Sequence, residues 1–152
     1  MVEKVTDDFL RESAASASAA AIIVTDRGRY LMQLREDLPH VSYGGWWGLF
    51  GGAIEIGETP EDALRRELLE EINLTVDSVT YLTQIAWDMR RVGLGIRQRF
   101  YFVVQGMEEV LCSLPVLEGA AKAFMTLDNL LSTPKVIPPD VFAIVLRERE
   151  EG

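Results

Sequence analysis

The sequence predicts a layered fold of the α/β or α+β kind, built as one domain. Three observations carry that expectation. Apolar runs of strand length alternate with amphipathic helical stretches along the chain. Its 48% apolar and 26% charged residues are the mix of a chain that buries a core. Its 152 residues suffice for one domain, and no Pro/Gly/Ser-rich linker or internal repeat divides them.

Residues 1–18 are polar and rich in Ala and Ser, with Val5, Phe9 and Leu10 as packing points. They read as an N-terminal arm or short helix ahead of a single domain over 19–152. Ala19 to Thr25 reads as a buried strand, Asp26-Arg27-Gly28 as a turn, and Tyr30 to Arg35 as the returning strand of a hairpin. Glu36 to Gly45 is a loop with Pro39 and His40, followed by the apolar Trp46 to Phe50 and then Gly51-Gly52. Thr59 to Ile72 carries the strongest helix signals. Thr59 is an N-cap, Pro60 suits the first helical position, Asp62 stands three after the cap, and Asn73 supplies a left-handed stop.

Val76 to Trp87 and Arg97 to Val104 alternate as strands around a Gly93-Leu94-Gly95 turn. Glu108 and Glu109 read as a strand-end turn. Lys122 to Met125 is a short strand, Thr126 caps a helix through Leu131, and Asp140 to Glu148 is a last amphipathic helix after Pro138-Pro139. Val141, Ile144 and Val145 lie on one side of that helix, which packs either on the sheet or on a partner, leaving a homodimer open.

Charge narrows the function. Fifteen Lys and Arg against 24 Asp and Glu give a net charge of −9, which repels polyanions and argues against a nucleic-acid polymer as partner. No apolar run approaches the ~20 residues of a membrane span, and the first eighteen residues lack the layout of a secretion signal. A cytoplasmic protein is therefore expected. Cys112 has no partner for an internal disulfide and reads as a small apolar filler; no Cys/His cluster offers a zinc site. An anionic substrate would need a divalent metal or placed arginines to reverse the field locally.

On the helix over 59–72, Leu64, Leu68 and Ile72 form an apolar stripe, and Glu67, Glu70 and Glu71 form a neighbouring acidic one. Three carboxylates bordering a buried face repel one another and raise each other's pKa. Either this is a solvated acidic face, or a cation sits among them. Hard oxygen ligands suit Mg²⁺ or Mn²⁺ rather than zinc.

Gly52, then Glu58, then Arg66-Glu67-Leu68-Leu69-Glu70-Glu71-Ile72-Asn73-Leu74 resembles the signature box of the Nudix hydrolases, the nucleoside diphosphate-X pyrophosphohydrolases. The pattern is G-x5-E-x7-R-E-U-x-E-E-x-G-U, with U aliphatic, and eight of its nine specified positions match. The departure is Asn73 where the family has Gly. A milder one is Phe50, where relatives often have Pro. Arg35, Trp47-Gly48-Leu49, Glu118 and Lys122 to Leu127 also fit the family layout, so the resemblance covers about Ala19 to Leu131.

The resemblance implies an α/β/α sandwich with a mixed β-sheet, and hydrolysis of a nucleoside diphosphate linked to another moiety with divalent cations. By it, the Gly52 carbonyl, Glu67, Glu70 and Glu71 ligate Mg²⁺ or Mn²⁺, Arg66 orients Glu67, and Glu58 braces the loop. Glu118 is a further ligand or the general base, with Glu67 its rival, or else a surface residue. Arg35 contacts phosphate or pairs at the surface. Trp46 and Trp47 stack on a base or pack in the core, with Trp47 the substrate-binding candidate. Arg97 and Arg99 share a strand face and either steer phosphates or line the solvent side of an edge strand. His40, alone in its loop, reads as solvent-exposed. With no recognisable motif for NADH, coenzyme A, ADP-ribose or dinucleoside polyphosphates, the expected substrate is a (deoxy)nucleoside triphosphate, ordinary or oxidised. A nucleotide sugar, or non-catalytic nucleotide binding, is the alternative.

Overall fold

The structure, a computed structural model, describes residues 16–151; the expected packing points Val5, Phe9 and Leu10 lie outside the described residues. The first strand, β1 (Ala17–Thr25), is apolar at every position from Ala19 to Val24 because both of its faces are covered. It starts two residues before the expected boundary, so Ala17 and Ser18 belong to the sheet and not to an arm. The Asp26-Arg27-Gly28 turn, with Gly28 at φ +70°, returns the chain into β2 (Tyr30–Leu34). Two short strands follow, β3 (Trp47–Gly48) and β4 (Phe50–Ala53).

Helix α1 (Pro60–Ile72) begins and ends on local signals. The Thr59 hydroxyl accepts from the Asp62 N–H, and Asn73 sits at φ 54°, ψ 37° with its N–H bonded back into the last turn. Its Leu64, Leu68 and Ile72 are fully buried, each contributing about 2 kcal/mol of hydrophobic stabilisation. Strand β5 (Thr80–Met89) begins later than its apolar pattern suggests, because Arg65 donates to the carbonyls of Val76 and Asp77 and pins 76–77 to the helix. A short 3₁₀ turn (Arg90–Val92) leads into β6 (Gly95–Gly106).

Glu108 and Glu109 open a short helix, α2 (Glu108–Cys112), rather than a simple turn. Glu108 is buried between Arg29, at 2.6 Å, and Arg27, at 3.3 Å. Cys112 is exposed, not a core filler. The chain ends with β7 (Ala121–Met125), α3 (Leu127–Ser132), which carries a Thr126/Asn129 capping box, and α4 (Pro138–Glu151).

Among the described residues the strands form one mixed sheet with the path β3-β2-β1-β6-β5, where β4 also pairs β1 and β7 pairs β2. The β1/β6 pairing is parallel, in register Ala20 with Tyr101, and the others are antiparallel. Alternation along β1 sends Ala19, Ala21 and Ile23 toward α1, and Ala20 and Ile22 toward Ala143 and Ile144 of α4. The result is the α/β/α sandwich expected from the resemblance. Val145 stays on the exposed side of α4 with Phe142. No helix among the described residues is long and apolar enough to cross a membrane.

Candidate metal and nucleotide site

Helix α1 carries the acidic stripe along the rim of a cleft of about 460 Å³. Glu71 is only 3% exposed. Its Oε1 accepts from the Gly51 N–H at 2.8 Å and its Oε2 from the Gln33 amide at 3.0 Å. Glu67 is half-buried beside it. Glu118 comes from the loop after α2, which is docked onto the end of α1: the N–H groups of Leu117 and Glu118 donate to the Glu71 carbonyl at 2.8 and 3.4 Å. Carboxylate oxygens of Glu67, Glu71 and Glu118 all lie within 4.8 Å of one another.

The electrostatics are those of crowded, partly buried carboxylates with one arginine, Arg66, beside Glu67. Burial pushes the Glu71 carboxyl up to about 8, against the pull of the Gly51 and Gln33 donors, and the Glu67 carboxylate adds to the rise. Glu67 is raised by burial too, with Arg66 opposing.

Arg66 is the organiser of the acidic loop. Its Nε and Nη2 each donate to Glu58 at 2.9 Å in a two-pronged pair, Nη2 also reaches the Ala53 carbonyl at 3.0 Å, and Nη1 donates to Glu67 at 2.9 Å. That pairing holds Glu58 below the usual carboxylate range. Glu70 stands outside the clustered trio, exposed and ion-paired to Arg66 at 3.3 Å.

Hard oxygen donors of this kind fit a divalent cation such as Mg²⁺ or Mn²⁺. Gly52 shows how tightly they are packed. A β-carbon there would stand 2.4 Å from the Glu67 carboxyl carbon, so a side chain at that position would push the Glu67 carboxylate from its place.

Arg35 lines the cleft, donating from Nε to the Ser42 carbonyl at 2.7 Å, and burial with the neighbouring Arg99 lowers its pKa. Trp47 does not join it. Its two-residue strand is clamped by backbone bonds to Lys135 and Ile137, and its ring packs on the α4-side core. The aromatic residues near the site are instead Tyr43 and Trp87. Arg99 is no solvent-side residue, because β6 lies between β1 and β5 and Arg99 pairs with the fully buried Asp140 at 3.2 Å. His40 is exposed.

Gln33 and Asp140 were missed by sequence reasoning. A lone polar residue in the apolar run Tyr30-Leu31-Met32-Gln33-Leu34 was the available signal for the first. Nothing local signals the second.

Fold and site together define a class: an α/β/α domain that gathers carboxylates from one helix and one loop into a single cluster. Comparison with known proteins agrees. The family model for the NUDIX domain matches residues 15–143, and the chain belongs to the Nudix family. It is 40% identical over 68 residues to an oxidized purine nucleoside triphosphate hydrolase of Danio rerio, covering 44% of this chain and 41% of that protein. It is also 40% identical over 70 residues to an 8-oxo-dGTP diphosphatase of Proteus vulgaris, covering 46% and 61%. The chain thus spans about half the length of these curated relatives. The crystal structure of a MutT NUDIX hydrolase from Burkholderia pseudomallei shares the fold, with a TM-score of 0.72 at 24% identity over 86% of this chain and 96% of that one.

Proposed function

We propose that this protein hydrolyses a phosphoanhydride bond in a nucleoside diphosphate derivative, with a (deoxy)nucleoside triphosphate, ordinary or oxidised, as its substrate. The observation that carries the reading is the convergence of Glu67, Glu71 and Glu118 beside Gly52, three carboxylates of which only Glu67 is ion-paired, to Arg66, among the described residues. Glu67, Glu70, Glu71 and the Gly52 carbonyl are the groups to hold Mg²⁺ or Mn²⁺. When bound, such ions neutralise phosphate oxygens and assist both the attacking water and the leaving group.

The chain's own residues supply the rest. Arg66 holds Glu67 in place and Glu58 holds Arg66. Arg35 offers its free guanidinium nitrogens to phosphate oxygens. Glu118 has no side-chain partner among the described residues, whereas Glu67 is already engaged by Arg66 at 2.9 Å. Glu118 is therefore the general base. It takes a proton as the water oxygen bonds to phosphorus and the bridging P–O bond breaks, leaving a nucleoside monophosphate and pyrophosphate from a triphosphate.

The test is a substrate panel with Mg²⁺ or Mn²⁺: nucleoside triphosphates, 8-oxo-dGTP, a nucleotide sugar, ADP-ribose and NADH. Phosphorus NMR then identifies the released species. Pyrophosphate from triphosphates is the expected result. Preferred turnover of the nucleotide sugar would reassign the substrate, and no release from any of them would overturn the reading.

A further inference from the structure

A second cavity, of about 460 Å³, opens on the sheet face that α4 covers and meets the carboxylate cleft at Arg35, Gly51 and Gly52. Its other walls include Tyr43, Trp87, Met89, Arg97 and Arg99. Trp87 and Arg97 are cross-strand neighbours on β5 and β6, and Arg97, Arg99 and Tyr101 alternate onto the same face. The aromatic residues and the thioether of Met89 suit a flat heterocycle.

The charge of this cavity is one-sided. Three guanidinium groups, Arg35, Arg97 and Arg99, face a single carboxylate among the described lining residues, Asp140. That carboxylate is already spent: Oδ2 accepts from the Leu49 N–H at 2.9 Å, and Oδ1 from the Tyr101 hydroxyl at 2.7 Å and Arg99 Nε at 3.2 Å. Arg97 makes no hydrogen bond or ion pair among the described residues. The buried indole N–H of Trp87 is a further donor without an acceptor. In a protein of net charge −9, an unpaired arginine on an interior cavity wall is a local surplus of donors.

We propose that Arg97 is a specificity-determining residue, which donates to a ring carbonyl of the substrate's heterocycle and so favours oxo bases over amino bases. The proposal rests on the phosphoanhydride-hydrolase reading above. Uracil and cytosine isolate the point, since at one ring position the first presents a carbonyl acceptor and the second an amino donor. An amino group set against a guanidinium opposes donor to donor, and both lose their water without a bond in return.

The experiment compares kcat/KM for UTP and CTP, and for ITP and ATP, in the wild type, Arg97→Leu and Arg97→Lys. Calorimetric binding of UMP and CMP to the same proteins supplies a readout free of catalysis. The wild type should favour UTP over CTP by roughly tenfold or more, with UMP bound more tightly than CMP. Arg97→Leu should bring the ratio to within about twofold, mainly through KM, and Arg97→Lys should restore most of it. Melting curves show whether Arg97→Leu is folded, with Arg97→Gln as the second variant if it is not. Equal use of the two bases by the wild type, or a ratio unchanged in Arg97→Leu, overturns the proposal while leaving the hydrolase reading intact. Absent turnover with an Arg97-dependent preference for UMP sinks the hydrolase reading and keeps this one. Absent turnover and absent binding of either monophosphate sinks both.

Discussion

Asp140 and Glu71 are buried carboxylates on opposite faces of one sheet, and their surroundings differ in kind. Asp140, fully buried at the start of α4, is surrounded by donors: a hydroxyl, a backbone N–H and the Arg99 guanidinium. Tyr101 in turn has its own pKa raised by burial and by the Asp140 charge, so it stays a donor there. Glu71 has two neutral donors, and its nearest ionic neighbours, Glu67 and Glu118, carry its own sign. A buried charge that is matched holds elements together, here β4, β6 and α4. One that is left among like charges is held largely protonated at neutral pH, as the Glu71 carboxyl is, pushed up to about 8, until a cation is added.

The largest consequence falls on the unmatched side. Glu71→Gln should lower turnover by roughly 10³-fold or more, measured as pyrophosphate release, while the metal-free protein melts no lower than wild type. Glutamine still accepts from the Gly51 N–H, and it is neutral where burial already keeps the wild-type carboxyl largely protonated. A clear drop in melting temperature would make Glu71 a structural acid and erase the contrast.

On the matched side, Asp140→Ala leaves Arg99 buried without its counter-charge and should cost about 3–5 kcal/mol in urea unfolding. A cost below about 1 kcal/mol would mean the network is dispensable. Adding Mn²⁺ at a hundred times its dissociation constant should stabilise the wild type by about 2.7 kcal/mol, read as a rise in melting temperature that EDTA reverses. Glu71→Gln should lose most of that rise, and Asp140 variants should keep it.

Glu108 offers a milder version of the matched case. Arg29 holds its folded pKa below the ordinary value of 4.5. Its contribution is therefore present above that value and lost as pH falls through the lower, folded one. Glu108→Gln should melt below wild type at pH 7, and the gap should close in acid below pH 4.5. A gap that persists there would assign the effect to packing. The smallest change is Asn73→Gly, which relieves the left-handed residue at the end of α1 and should stabilise by about 0.5 kcal/mol in thermal melts, with turnover unaltered.

What was readable in the chain was what is local. Thr59, Pro60 and Asn73 delimit α1 because caps act within one turn, and the spacing of Glu67 and Glu71 places both on one face because a helix repeats every 3.6 residues. Glu118 was within reach as a loop acid of a resembling family, but its meeting with Glu71 depends on two backbone bonds to the end of a helix formed far earlier in the chain. Asp140 with Arg99, 41 residues apart, and Gln33 with Glu71, 38 apart, are products of sheet register and layer packing, which no short window contains. For Trp47 the packing alternative prevailed over base stacking for the same reason: the two-residue strand that fixes its ring exists only because Val136 and its neighbours come back to pair with it.

Gly51 and Gly52 form a saddle between the two hollows, and a side chain at the first would collide with the Ala19 carbonyl at 2.0 Å. Almost nothing else is common ground: one hollow is upholstered by β5 and β6, the other by α1 and the loop that rests on its end. On the proposed reading, drift at Trp87, Met89, Leu94 or Arg97 would therefore change which base is held without moving the carboxylates of the other hollow. Such a chassis lends itself to changing diet while keeping its teeth.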